Sequence, residues 1–218
     1  MIKIQGLTIT KEENTIFKDL NYSFKNGKSY ALMGYSGSGK STLLNSIAGF
    51  EKIDSGHIYL NGKKLIADNH FYKTQLGYLF QNYGLIDNLS VDDNLDIGLA
   101  FQKHSKAEKR KRKNILLKEL NVNVDLKRKI STLSGGEQQR IALIRLLLKK
   151  PNIILADEPT GSLDRINGEK ILDKLLACLN DNKIIIIATH DIDVAKKCNV
   201  VVNMEDLNDS LFNNLDTF

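Results

Sequence analysis

The sequence predicts an α/β fold: a core of alternating strands and helices, preceded by an antiparallel β subdomain and interrupted by a helical one. Three observations predict it. A glycine-rich octet, Gly34-Tyr35-Ser36-Gly37-Ser38-Gly39-Lys40-Ser41, follows an apolar run and precedes a helical one. The first 33 residues alternate short β-like runs with turns. The second half alternates helix and strand, and its strands are near-continuous apolar runs, as in a parallel sheet covered on both faces.

In chain order, Ile2 to Ile4, Leu7 to Thr10, Ile16 to Phe24 and Ser29 to Met33 read as strands. Asn26-Gly27 carries a strong hairpin signal, so this part reads as antiparallel. Tyr30-Ala31-Leu32-Met33 is the buried strand that leads into the octet, and Thr42 to Ala48 the helix that leaves it. Ser55 to Gly62 reads as a short strand between turns, and Leu76 to Phe80 as another that ends at Gln81. From about Val91 the pattern turns helical: Leu95, Leu99 and Phe101 fall on one face, and Ile115, Leu116, Leu117 and Leu120 form an apolar cluster. This block, about 85 to 130, reads as a helical insert, and with the helix that follows it makes a helical subdomain of about 85–150.

Ser134 opens an Ile/Leu-rich helix that reaches Leu148 and is broken by Pro151. Asn152 to Ala156 and Ile184 to Ala188 are buried strands, and Arg165 to Asn180 between them is amphipathic, with Ile171, Leu175 and Leu179 in one row. A short helix and Val200-Val201-Val202 follow. The reading gives one domain over 1–205 and a polar tail, 206–218, without assigned fold.

The totals agree with a folded, mildly basic domain: 218 residues, 42% hydrophobic, 26% charged, net charge +5. No apolar run approaches the roughly 20 residues of a membrane span, and the N-terminus lacks the apolar core of a signal peptide. The expected location is cytoplasmic. Cys178 and Cys198 show no metal spacing; Cys178 reads as a small core residue and Cys198 as an ordinary thiol. His57, His70 and His104 have no clustered partners and read as structural or surface residues.

Three stretches carry chemistry. The octet fits G-x-x-x-x-G-K-[ST], the phosphate loop of a P-loop NTPase core. Its glycines let backbone N–H groups close on a triphosphate, and the following helix adds roughly half a positive charge at its start. Lys40 is placed to reach the β- and γ-phosphates of ATP and the Ser41 hydroxyl to bind Mg²⁺, with Thr42 completing the loop. A flexible Gly/Ser turn is the plain alternative. Asp157-Glu158 follows a buried strand at the end where α/β sheets place ligands. There Asp157 can hold Mg²⁺ and Glu158 can orient or deprotonate the attacking water. A solvated acidic loop is the alternative. In Leu133-Ser134-Gly135-Gly136-Glu137, Ser134 and Glu137 make a capping box. Capping does not require the adjacent glycines, which suit close approach of an anion to bare N–H groups.

Together these motifs resemble the ATP-binding subunit of ABC (ATP-binding cassette) transporters over about residues 1 to 205, in the family's order. The phosphate loop is 34–41, the Q-loop residue Gln81, the signature 133–137, and the Walker B strand ends in Asp157 and Glu158. The D-loop would be Ser162-Leu163-Asp164 and the switch histidine His190. The resemblance implies an ABC ATPase fold, and a homodimer in which each ATP lies between the phosphate loop of one copy and Ser134, Gly135 and Gly136 of the other. It implies that Gln81 touches Mg²⁺ and reports to a membrane partner, that His190 meets the γ-phosphate, and that Asp164 acts across the dimer. The family stacks adenine on an aromatic residue near the N-terminus. Lys11 stands near that place here, with Phe17 six residues on, so the adenine contacts are left open.

Leu155 to Asp164 looks like the branch serving lipoprotein release, macrolide-type efflux, antimicrobial-peptide resistance and cell-division control. Phe80 to Asn88 is similar to small bacteriocin-export cassettes. The implied role is an ATPase on the inner face of the cell membrane that drives a separately encoded permease, more an exporter than an importer. Two rivals stand beside it. One is a regulator that moves a membrane partner without cargo, which the sequence does not separate. The other is a chromosome- or repair-type ATPase. Those carry long coiled-coil or zinc inserts, whereas Lys40 and Ser134 lie only 94 positions apart with no heptad run between them. The run Lys103 to Lys113, with seven Lys/Arg against one Glu, reads as a solvated helix face or as a surface drawn to an anionic leaflet. No aromatic residue interrupts it for base stacking, so no nucleic-acid partner is expected.

Overall fold

A computed structural model describes residues 1–161 and 164–208. Two sheets form the frame. The first is antiparallel, with β1 (Ile2–Lys11), β2 (Asn14–Phe24), β4 (Ser55–Leu60) and β5 (Lys63–Lys64) in the order β2-β1-β4-β5. The second joins β6 (Leu76–Leu79), β7 (Ile153–Asp157), β8 (Ile184–Thr189), β3 (Lys28–Met33) and β9 (Val200–Asn203) in the order β6-β7-β8-β3-β9, with every pairing parallel.

Ile2–Ile4 and Leu7–Thr10 are one strand rather than two, since β1 runs through with register shifts around Gly6. The hairpin turn sits at Glu12 and Glu13, both at positive φ (46° and 69°), between the paired Lys11 and Asn14. Such a two-residue turn favours Asn or Gly, so two glutamates give no warning of it. Asn26-Gly27 is not a hairpin. It carries the chain from the antiparallel sheet to the parallel one, where the Gly27 N–H donates to Lys183 O at 2.8 Å.

The parallel strands are buried on both faces, and their alternation divides the core. Ile153, Leu155, Ile184 and Ile186 face the antiparallel sheet and α1 (Lys40–Ala48). Ile154, Ala156, Ile185 and Ile187 face a second cluster built by helices. Those helices are α2 (Val91–Leu99), α3 (Lys106–Glu119), α4 (Gly135–Lys149) and α5 (Arg165–Leu176). The short helices α6 (Ile192–Lys196) and α7 (Met204–Asn208) complete the chain. Helical structure therefore continues past 205, with Met204 and Leu207 buried in the first cluster. α4 stops at Lys150, whose left-handed φ of 55° turns the chain before Pro151.

Within the helical block, Leu95, Leu99, Leu117 and Leu120 are buried as the pattern indicates. Phe101 lies beyond the end of α2 and is 58% exposed, and Ile115 is 46% exposed, so both leave the apolar face assigned to them. The basic run is not uniform. Lys113 is buried and bonded to Asp92 at 2.6 Å and to Asp96 at 2.7 Å, pinning α3 to α2. Arg112 Nη1 donates to Gln102 Oε1 at 3.1 Å, while Lys103, Lys106, Arg110 and Lys111 face solvent. Cys178 is half-buried just past α5, and burial pushes its thiol pKa up; burial raises that of Cys198 to about 11.

Candidate nucleotide-binding site

β3 and α1 bracket the phosphate loop. Gly39 has a φ of 94°, and a Cβ there would stand 2.9 Å from the Phe17 ring, so any side chain would both strain the turn and strike the antiparallel sheet. Phe17 itself is 1% exposed, and Lys11 pairs with Glu51 at 2.5 Å. Neither of the two residues considered near the adenine position thus presents an open aromatic face.

Lys40 is buried at the start of α1. Its Nζ donates to Gly34 O at 2.7 Å and Tyr35 O at 2.9 Å, and it makes no ion pair among the described residues. A buried ammonium held by carbonyls alone has capacity for an anion. Ser38 Oγ is buried without a hydrogen-bond partner in the same loop. Both features suit a loop that closes on phosphate oxygens.

The opposite wall comes from the C-terminal ends of β7 and β8. Asp157 is buried, and burial raises its pKa; a hydrogen bond with Ser41 and the charge of Lys40 oppose the rise, while Glu158 adds to it. Glu158 has a φ of 47°, and its N–H donates to Ala188 O at 2.9 Å. That left-handed turn redirects the chain at the end of the strand. The Glu158 carboxylate then meets two residues of the next strand end: His190 Nδ1 at 2.8 Å from Oε1, and Thr189 Oγ1 donating to Oε2 at 3.5 Å.

Between these walls lies a cleft of about 770 Å³, lined by Ser36, Gly37, the loop residues 39–42, Gln81, Asp157, Glu158, Gly161 and His190. The structure so brings together residues spread over more than 150 positions of sequence. Gly34 and Tyr35 contribute carbonyls to Lys40 rather than lining, and Tyr35 is 66% exposed. Ser41, Gln81 and Asp157 offer a hydroxyl, an amide and a carboxylate oxygen. This hard-oxygen set fits Mg²⁺.

Ser134, Gly135 and Gly136 do not reach this cleft. Ser134 caps α4 and makes the full capping box with Glu137, and Ser134 and Gly135 are exposed. Hydrogen bonds from Ser134 hold the Glu137 carboxyl below its ordinary pKa. Asp164 is the N-cap of α5, accepting from Asn167 N at 3.1 Å. Ser162 and Leu163 lie outside the described residues.

Three participants were missed by sequence reasoning. Gly161 lines the cleft, and Thr189, fully buried, braces Glu158. Gln139 is buried and its Nε2 donates to Pro159 O, tying α4 to the segment after Glu158. Thr189 was discoverable as the polar end of an otherwise apolar strand; the others had no local signal.

A second concavity, about 490 Å³, lies where β6 meets α2 and α4. Phe50, Tyr72, Tyr78 and Phe80 stack there with centroid separations of 4.1 to 6.0 Å, and Ile97 and Phe101 form the rim.

A parallel-stranded core with a phosphate loop, a carboxylate pair at the adjacent strand end and a glycine-start helix facing away defines a nucleotide-binding ATPase domain. More narrowly, the chain belongs to the ABC transporter family, whose sequence profile matches residues 17–161. It is similar to the ABC transporter ATP-binding protein MJ0796 of Methanocaldococcus jannaschii, 38% identical over 221 residues, covering 94% of each chain. The lipoprotein-releasing system ATP-binding protein LolD of Francisella tularensis is 37% identical over 205 residues, covering 90% of this chain and 88% of that protein. The macrolide export ATP-binding/permease protein MacB of Bartonella quintana is 36% identical over 202 residues, covering 88% of this chain but 30% of that protein. The chain thus spans less than a third of the length of its MacB relatives. A solved dimeric structure of MJ0796, in a post-hydrolysis state bound to ADP and Pi, superposes with a TM-score of 0.82 at 34% identity, covering 93% of this chain and 94% of that one. The ABC ATPase fold and the branch indicated by Leu155 to Asp164 agree with these relatives.

Proposed function

We propose that this chain is the ATP-binding and ATP-hydrolysing subunit of a membrane ABC exporter, coupling nucleotide-driven closure of a homodimer to a separately encoded permease. One observation carries the reading: the signature glycines at the start of α4 lie outside the cleft beside Lys40. Among the described residues the cleft beside Lys40 has no signature residue in its lining, and the glycine start of α4 is exposed. Two copies packed head to tail complete both. The M. jannaschii relative is a dimer bound to ADP and Pi, which supports the pairing of two copies.

Within each site, Lys40 neutralises the β- and γ-phosphates, and the loop N–H groups cradle them. Ser41, Gln81 and Asp157 hold Mg²⁺, which when bound supplies charge neutralisation at the phosphate oxygens. Glu158 orients and deprotonates the attacking water, and His190 positions the Glu158 carboxylate while facing the γ-phosphate. Ser134, Gly135 and Gly136 of the second copy close the site and exclude bulk water.

The aromatic concavity between β6 and α2 supports the permease assignment. It opens beside Gln81's strand and carries exposed Phe50, Ile97 and Phe101. An apolar cytoplasmic helix of the membrane partner fits it. The MacB relatives, whose name joins ATP-binding and permease parts, extend well beyond the matched segment. Among the described residues no helix is long and apolar enough to cross a membrane. Docking on a permease through that concavity places the chain peripherally, on the inner face.

The test is Glu158→Gln. With Mg-ATP it should bind nucleotide, stop turning over and accumulate as an ATP-held dimer. A protein that stays monomeric at saturating Mg-ATP, even with its membrane partner present, overturns the shared-site reading.

A further inference from the structure

The acidic and basic side chains of α2 and α3 are used unequally. Every acidic one has a partner inside the fold. Asp92 and Asp96 hold Lys113 at 2.6 and 2.7 Å. Asp93 and Glu108 close the capping boxes that start the two helices. Glu119 pairs with Lys174 of α5 at 2.8 Å. The basic side chains are left over. Lys103, Lys106, Arg110, Lys111 and Lys118 are exposed, and among the described residues none of them is in an ion pair. Like charges gathered on one helix repel one another, so nothing in the stability of α3 calls for them. Ile115, four residues after Lys111 and three before Lys118, shares their outward face and is 46% exposed.

This basic face adjoins the aromatic concavity between β6 and α2. Gln102, in the link from α2 to α3, lines that concavity, and its Oε1 accepts from Arg112 of α3 at 3.1 Å. On the rim, Lys73 Nζ stands 4.9 Å from the centroid of the exposed Phe101 ring, two residues before Lys103. A membrane protein seated in the concavity therefore brings the start of α3 to the bilayer beside it.

We infer that the basic face of α3, with the lysine at 103 before it, is a docking surface for an anionic lipid leaflet, a second attachment to the membrane beside the permease. Charge complementarity carries it: unpaired cations meet lipid phosphates, each worth roughly fivefold in partitioning close to such a surface. Ile115 supplies an apolar side chain at the level where headgroups meet acyl chains. A nucleic acid fits less well, because residues 103–118 offer no aromatic ring for a base to stack on. The inference rests on the reading that the concavity seats a membrane partner.

The experiment measures co-sedimentation of the full chain with vesicles of phosphatidylglycerol and phosphatidylcholine in equal parts, against vesicles of phosphatidylcholine alone. The chain should bind the anionic vesicles at least about tenfold more tightly than the neutral ones. Raising salt from about 0.1 M to about 1 M, which shortens the screening length from about 10 Å to about 3 Å, should release it. The triple change Lys106→Gln, Arg110→Gln and Lys111→Gln should weaken anionic-vesicle binding at least about tenfold, with ATP affinity unchanged. Lys25→Gln, Lys28→Gln and Lys170→Gln remove the same charge from exposed positions elsewhere and should weaken it less than about threefold. Equal binding to both kinds of vesicle, or equal loss in the two triple variants, overturns the inference. So does tighter binding to a DNA duplex than to anionic vesicles, abolished by the α3 changes. The comparison of vesicles and salt decides the matter if the α3 variant fails to fold. Vesicles hold no permease, so a failure here leaves the seating of a membrane partner standing; loss of permease co-purification on changing Phe101→Glu in the concavity is what tests that.

Discussion

Nδ1 of His190 lies 2.8 Å from Oε1 of Glu158, joining the ends of two adjacent parallel strands across the wall of the nucleotide cleft. The carboxylate is aimed by its own left-handed backbone and braced by Thr189 on the other oxygen. His190 is 74% exposed while the Glu158 side chain is 16% exposed, so the pair has a wet end and a sheltered one. Glu158→Gln should lower turnover about 10²–10⁴-fold, the usual contribution of a general base, with nucleotide affinity preserved. Full turnover in that variant would show that Glu158 is not the base. His190→Ala should lower kcat more than it raises KM, because it loosens the carboxylate rather than the phosphates; steady-state kinetics checks the split.

Lys40→Ala should weaken ATP binding by at least about tenfold, since a charge-assisted hydrogen bond to a phosphate in a sheltered loop is worth about 1.5–3 kcal/mol. The loop should survive, because the lost bonds run only to the carbonyls of Gly34 and Tyr35. Equilibrium binding of a fluorescent ATP analogue measures the effect, and unchanged far-UV circular dichroism checks the fold.

Asp157 gives a pH-dependent prediction. Burial first, and the Glu158 charge second, raise its pKa above the ordinary 3.8. The native chain without nucleotide therefore binds more protons there than the unfolded chain does. A folding cost is absent below pH 3.8, accrues as pH climbs through the raised value, and is constant above it. Asp157→Asn should therefore raise the thermal midpoint of the nucleotide-free protein at neutral pH. The same change should abolish the extra stabilisation given by Mg-ATP over ATP with chelator. Differential scanning calorimetry across pH, with and without Mg-ATP, measures both.

Lys113 tests the attachment of α3. Burial alone would lower its pKa, but its hydrogen bonds to Asp92 and Asp96 and their charges outweigh that and hold it raised. Those aspartates are about half exposed, which discounts the pair relative to a fully buried one. Lys113→Met should cost about 1–2 kcal/mol in urea unfolding. ATP affinity of the monomer should not change, because Lys113 does not line the nucleotide cleft.

The phosphate loop, both buried strands of the second half and the capped start of α4 were legible because each is local. A glycine pattern, an apolar run and an S-x-x-E box all act within a few residues. The turn at Glu12-Glu13 was not legible, since glutamates do not advertise positive φ. Asn26-Gly27 gave a correct turn signal, but which sheet the next strand joins is decided at long range, by parallel pairing of β3 with β8 and β9. The same holds for Phe101: helical spacing put it on the apolar face, but α2 ends at Leu99. Within the site, Asp157 and Glu158 could be named from their place at a strand end, and His190 only through the family resemblance. Thr189 acts through a bond set by tertiary structure, and only the folded chain brings it to Glu158.

The central claim is that neither copy holds a complete reaction centre, and mixing tests it most directly. A Lys40→Ala chain keeps its Ser134, and a Ser134→Arg chain keeps its Lys40; each alone should be inactive. A mixed dimer rebuilds one whole site from the intact Lys40 of one and the intact Ser134 of the other, so combining the two should restore hydrolysis in proportion to the heterodimer formed. Hydrolysis in the mixture no greater than in the separate samples, with heterodimers shown to be present, would contradict the claim.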